Sequence, residues 1–289
     1  MTAAGIHRVP MAEYHAWDAA SNSRLSLLAR SPAHCRAAID EPFADTEALA
    51  FGRAVHTAVL EPEEFSARYV TPRRCYGIKR DRQRCSNKGS VLMTSGEWYC
   101  GTHATSDASY RDTAKEVLSS ADWDACQSIR ESIHGIPRAK DLIEHLDATE
   151  VSLRWTDQET GVPCKARLDG YSEELGVIVD LKTTRDARPK ESQKAIANYG
   201  YHRQGALYIE GAAFNGINAR HYVIIAVEKT RPYAAAIYRL TEGAIDQGAD
   251  EIRVLLRRYA ECLETGEWPG YGDDVTDIGL PEWAQKEAL

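Results

Sequence analysis

The chain has 289 residues, 43% hydrophobic and 27% charged, enough to bury a sizeable core in one large domain or two modest ones. No apolar run approaches the roughly 18 residues that a membrane helix needs, and the first residues lack the basic start and apolar stretch of a signal peptide, so a cytoplasmic location without a membrane partner is expected. A net charge of −8 argues against non-specific coating of nucleic acid, and seven cysteines, an odd number, argue against a disulfide framework.

Residues 1 to about 70 read as helical. Ser21-Asn22-Ser23 can cap a helix beginning near Arg24, and Ser31-Pro32 opens a second one through Ile39. A third runs from about Thr46 to Leu60, with Leu49, Phe51, Ala54, Val55, Ala58 and Val59 at helical spacing and His56 in its middle. Residues 73–105 break the pattern and read as a module inserted into a single domain spanning 1–289. Helical patterning returns over 107–147, with Ala114, Val117, Leu118, Ala125, Ile129 and Ile133 inward.

From 150 onward the pattern changes. Val151 to Trp155 alternates as a half-buried strand does, Asp157 to Gly161 is a turn, and Val162 to Leu168 pairs back as a hairpin. Gly176 to Lys182 is a third strand with an apolar centre, which suits burial on both faces. One helix is expected over about 190–213, strands over 221–227 and 234–239, and a last helix over about 242–265. The tail from Trp268 is irregular and packs across the surface. The order predicts an α/β fold, a mixed central sheet flanked by helices, with a helical N-terminal part.

Two groups of residues carry chemistry. The first is Asp169 followed, after ten residues, by Asp180-Leu181-Lys182. Phosphodiester hydrolysis uses Mg²⁺ or Mn²⁺ held by hard oxygen ligands, and two aspartates on adjacent strands supply them. Residues two apart on a strand share a face, so Asp180 and Lys182 project together. Alone, such a pair is commonly a solvated ion pair, but here it ends a buried strand. Gln204 and Tyr208, four apart, share a helix face; packing alone would explain them. Lys165 and Arg167 either approach phosphate or form an exposed face.

The second is Cys75-x9-Cys85-x14-Cys100-x2-His103, a Cys₃His set that suits structural Zn²⁺. Between Arg73 and Lys88 stand seven basic residues against Asp81 alone, a segment too polar to fold without a staple. It contains Lys79, Arg80, Arg82 and Arg84 and is expected to meet phosphate or to dock a protein. The spacing resembles short zinc-binding modules of the form C-x9-C…YC-x2-H appended to other phage proteins.

Ser26-Leu27-Leu28-Ala29-Arg30-Ser31-Pro32-Ala33-His34, Ala50 through Pro62, Cys164 through Asp169, Val179 through Thr184, Tyr201 through Tyr208 and Leu280-Pro281-Glu282-Trp283-Ala284 occur in that order. Together they resemble the PD-(D/E)xK nuclease superfamily, its RecB-type branch, and most closely the phage and prophage exonuclease VIII (RecE) family. The resemblance implies a restriction-endonuclease-like core and a 5′→3′ exonuclease acting on double-stranded DNA ends. It makes His56, Asp169, Asp180 and the Leu181 carbonyl metal ligands and Lys182 the catalytic lysine. Glu150 matches an acidic residue at the start of the first core strand. Gln204 and Tyr208 match a Q-x-x-x-Y motif that contacts DNA; Arg53 and Thr183 are expected on the DNA side too. It further implies a single-strand annealing partner, a homo-oligomeric ring, and a phage or prophage origin. Only Cys262 lies beyond the core, so the four-cysteine iron–sulfur cluster of some relatives is not expected. Alternatives are a non-cleaving DNA- or partner-binding module on this fold, and a structure-specific endonuclease.

Overall fold

Hydroxyl side chains set the starts of the early helices. After strand β1 (Gly5–His7) and helix α1 (Met11–Ala16), the Ser21 hydroxyl accepts from the Arg24 amide and opens α2 (Asn22–Arg30). Ser31 ends α2 and, accepting from the His34 amide, opens α3 (Pro32–Asp40) with Pro32 in its first turn. Thr46 caps α4 (Glu47–Leu60), and α5 (Pro62–Arg68) follows. Helix α1 falls within the stretch that reads as helical, whereas β1 departs from it, because three residues carry too little periodicity. The computed structural model describes residues 5–41, 46–104, 115–272 and 274–280; the expected position Ala114 and residues 281–284 of the last motif lie outside them.

Strand β2 (Tyr69–Val70) precedes the small hairpin of β3 (Val91–Leu92) and β4 (Trp98–Tyr99). Strand β5 (Glu116–Val117) then pairs in parallel with β2, so the inserted segment leaves and re-enters the domain at one point. Helices α6 (Ser120–His134) and α7 (Pro137–Glu144) lead into the main sheet.

That sheet is built from β6 (Ala148–Thr156), β7 (Pro163–Ser172) and β8 (Val177–Thr184), and, after helices α8 (Pro189–Tyr199) and α9 (Tyr201–Phe214), from β9 (His221–Glu228) and β10 (Ala235–Arg239). Helix α10 (Glu242–Thr265) closes the regular structure. The strand order is β1-β6-β7-β8-β9-β10, mixed, with β8 and β9 parallel and the other neighbours antiparallel. The single helix expected over 190–213 is two: Gly200 at φ +67° breaks it, a conformation that costs an L-residue about 1–2 kcal/mol.

The sheet carries a core on each face. Val177, Val179 and Leu181 of β8 pack with α4, α6 and α7, through residues such as Val55, Ile129 and Leu142. Ile178 of β8 belongs to the other core, with Leu25 and Leu28 of α2, Leu207 of α9 and Leu255 of α10. Strand alternation therefore puts Asp180 on the α9 face. No helix of the described residues is long and apolar enough to cross a membrane.

Candidate active site

The site lies where the sheet splits. Strands β7 and β8 pair from Ser172 with Val177 to Gly170 with Val179, and the ladder stops there. Asp169 and Asp180 are the next residues on each strand. The Leu181 amide, left without a ladder partner on β7, donates to Asp169 Oδ2 at 2.8 Å. A side chain thus replaces a backbone pair, and the carboxylate is fixed at the fork.

Three groups meet around Asp169. His56 Nδ1, from α4, is 3.5 Å from Asp169 Oδ2. The β6–β7 register pairs Thr149 with Gly170 and Val151 with Leu168, which sets Glu150 across from Asp169. His56, Glu150 and Asp169 each offer one donor atom, all within 4.8 Å of one another. Glu150 holds φ +53° and is gripped by Arg167 Nε at 2.8 Å. Arg167 also donates to Ser152 Oγ and to the Val9 carbonyl, so its guanidinium is fixed on three sides.

The electrostatics describe a site short of positive charge. Burial, then the neighbouring Asp169, raises the Glu150 pKa. Burial works against the Asp169 carboxylate, yet His56 outweighs it and holds the pKa below the ordinary value. Burial likewise disfavours the His56 imidazolium, yet Asp169 outweighs it and brings the pKa up to about 9. At neutral pH a proton on His56 therefore balances the carboxylates. Two carboxylates and an imidazole suit a small hard cation such as Mg²⁺ or Mn²⁺, which would replace that proton.

Asp180 and Lys182 stand beside this group, on the α9 face. Lys182 Nζ is 2.7 Å from Asp180 Oδ2, and Gln204 Nε2 donates to Asp180 Oδ1 at 2.9 Å. Asp180 is buried, and burial raises its pKa against the pull of Lys182. Burial disfavours the Lys182 ammonium, but the Asp180 and Asp169 carboxylates outweigh it and keep its pKa above the usual lysine value.

The expected residues therefore fall into two sets. His56 and Asp169 gather with Glu150, whereas the Asp180 carboxylate turns to Gln204 and Lys182. Gln204 is buried on Asp180 rather than presented to a ligand. Tyr208 is partly buried and packs edge-on against Tyr222, ring centroids 6.2 Å apart, at the margin of the core. Helix α9 presents the face that carries both residues to the sheet. Lys165 is neither a phosphate contact nor exposed: its Nζ donates to the carbonyls of Tyr14, His15 and Trp17. Arg53, one turn before His56 on α4, is 3.8 Å from Glu116, and Thr183 is partly buried on β8. The grip of Arg167 on Glu150 escaped sequence reasoning. No local pattern announces a bond across a strand pair.

The inserted segment brings its four candidate ligands together. Cys75, Cys85, Cys100 and His103 present donor atoms all within 4.8 Å. The sulfurs of Cys85 and Cys100 are 3.9 Å apart, and His103 Nδ1 is 3.3 Å from Cys100 Sγ. Four ligands at about 2.3 Å around a tetrahedral ion stand about 3.8 Å from each other, so the spacing suits zinc and not a disulfide. Burial opposes the Cys100 thiolate, but the bonds it accepts from His103, the Thr102 backbone, Asn87 and Cys75 together outweigh it and lower the pKa to about 5. Lys79, Arg80, Arg82 and Arg84 are all exposed, and the Arg84 guanidinium lies 4.8 Å over the Tyr76 ring.

Residues 21–277 match the profile of a PDDEXK-like domain of unknown function (DUF3799). A solved structure from Eubacterium rectale, that of a "Putative exonuclease", is 16% identical in sequence and superposes over 95% of this chain and 97% of its own, with a TM-score of 0.55. At that identity the likeness is one of fold. No curated protein matched the sequence.

Proposed function

Since the chain belongs to the family of PDDEXK-like domains DUF3799, we propose that it is a metal-dependent deoxyribonuclease. We read it as a 5′→3′ exonuclease that enters at double-stranded DNA ends and leaves 3′ single strands for phage-type recombination. The observation that carries the nuclease reading is the fork itself: His56, Glu150 and Asp169 converge on one point, with the Asp180–Lys182 pair beside it. The exonuclease reading rests on the ordered motifs that resemble those of the exonuclease VIII family, and the description of the Eubacterium rectale protein agrees with it.

A cation held by His56, Glu150 and Asp169 would polarise the scissile phosphate and lower the pKa of a nearby water. Lys182, kept protonated by Asp180, offers Nζ to a phosphate oxygen as charge develops on it. Asp180 holds that ammonium in place and is itself held by Gln204. Arg167 keeps the Glu150 carboxylate aimed at Asp169. A zinc-stapled module at 73–105 carries a basic, exposed surface that we assign to DNA backbone contact. A ring of subunits with basic residues inside would reconcile a net charge of −8 with a DNA substrate. A single-strand annealing protein would take the product.

The test is digestion of end-labelled linear duplex beside closed circular DNA in Mg²⁺. Linear DNA should be degraded from its 5′ ends and circles spared. Asp180→Ala and Lys182→Ala should each lose about 10²-fold or more. Nicking of circles would replace the exonuclease with an endonuclease, and binding without cutting in Mg²⁺ and Mn²⁺ would replace both with a binding module. Full activity in both variants would refute the site.

A further inference from the structure

Past Lys182, the C-terminal end of β8 and the helix α8 line an open cavity of about 640 Å³, of which the hydrolytic reading uses Lys182 alone. Its size is that of a small-ligand pocket. A line of groups leads into it from the fork. Lys182 Nζ lies 4.8 Å over the ring of Tyr201, and the Tyr199 ring is tilted against Tyr201 with centroids 5.7 Å apart. Tyr199 is 66% exposed, so it contributes little to the core. An aromatic face left open at the mouth of a cavity is a stacking surface for a flat ring.

The charges around the cavity favour an anion. Its acidic lining residues are already engaged: Asp186 is held by Arg188 at 2.6 Å and Glu191 by Lys194 at 2.7 Å. Arg185 and Lys229 also line it, are exposed, and have no ion-pair partner among the described residues. An open aromatic face, two uncommitted cations and a lysine at the inner end match a nucleotide: a base for the tyrosines, phosphates for Arg185 and Lys229.

We propose that this cavity is a subsite for one unpaired nucleotide of a DNA strand, its base stacked on Tyr199 and Tyr201 and its flanking phosphates on Arg185 and Lys229. The proposal rests on the nuclease reading and deepens it. A duplex end has to be unpaired by at least one base for the strand to thread from the fork into the cavity.

The test is binding of fluorescein-labelled pentathymidylate, followed by anisotropy in EDTA, where no cleavage occurs. Tyr199→Ala should weaken binding by roughly 5- to 150-fold, the loss expected for one stacked base. Tyr199→Phe keeps the ring and should bind within about twofold of the parent chain. Arg185→Ala with Lys229→Ala should weaken binding and flatten its salt dependence. Arg253→Ala, a charge change on the remote helix α10, should do neither. Absent binding in the parent chain, or unchanged binding in Tyr199→Ala, overturns the subsite and leaves the nuclease reading untouched if duplex is still digested. Tyrosine-dependent binding by a protein that digests no DNA upholds the subsite and removes the nuclease.

Discussion

Gln204 Nε2 donates to Asp180 Oδ1 at 2.9 Å, joining α9 to β8 at the fork. Asp180 also faces Lys182 on its other oxygen, so its two oxygens have separate partners. Bonded to Asp180, Gln204 is placed to act as a positioning residue through it. Removing such a partner typically costs about 10- to 100-fold in activity or metal affinity. Gln204→Ala is expected to fall in that range while keeping its melting temperature within a few degrees. Its pH–rate profile should also move to higher pH, since the Asp180 carboxylate loses a bond that favours its charged form. An unchanged profile with full activity would leave Gln204 as packing alone.

His56 makes metal-free stability depend on pH. Its folded pKa, about 9, lies above the ordinary value of 6.5. A raised pKa means that the folded state holds the proton more tightly than the unfolded chain. The stabilisation is complete below about pH 6.5 and is lost as pH rises through about 9. In EDTA, the stability advantage of the parent chain over His56→Gln should therefore shrink across that window. A difference that stays constant from pH 6 to pH 9.5 would contradict the ion pair with Asp169.

Much of this was legible in the sequence, for identifiable reasons. Val177 through Leu181 announced a buried strand because four of its five residues are apolar and pack into the cores on the two faces of the sheet, and Asp180 with Lys182 shared a face because strand periodicity is two. Ser21, Ser31 and Thr46 marked helix starts because caps are local. What stayed hidden depends on distance in the chain. Arg167 meets Glu150 only once the β6–β7 register is fixed, and Lys165 finds the carbonyls of Tyr14 and Trp17 about 150 residues away. Gly200 was readable as a residue but not as a break, since a glycine within a periodic run is also tolerated in a helix.

The inserted segment should depend on zinc and the sheet should not. Purified protein is expected to carry about one equivalent of zinc, lost in Cys85→Ser and Cys100→Ser. The β2–β5 pair closes the base of the insertion, and its four ligands lie apart from the cores that hold Val55, Ile129 and Leu207. Chelation should therefore expose residues 71–104 to protease while the main melting transition survives. Less than about half an equivalent of zinc in intact protein, or loss of the whole fold on chelation, would argue against a separate staple.

Glu150 places strain and function on one residue. Its φ of +53° is a left-handed conformation that costs an ordinary L-residue about 1–2 kcal/mol. The distorted backbone brings its carboxylate to Asp169 and His56, where burial and like charge both raise its pKa. Two substitutions separate backbone from carboxylate. Glu150→Ala and Glu150→Gly both delete the ligand and the bond to Arg167, and they differ in backbone freedom and in tolerance of positive φ. In a regular strand glycine is the less stable of the two by roughly 0.5–1 kcal/mol. Here the order should invert, with Glu150→Gly more stable by about 1 kcal/mol in EDTA. Both should lose the rise in melting temperature that Mg²⁺ or Mn²⁺ gives the parent chain. Were alanine the more stable variant, the backbone at 150 would not be strained; were the metal response to survive in both, Glu150 would not be a ligand.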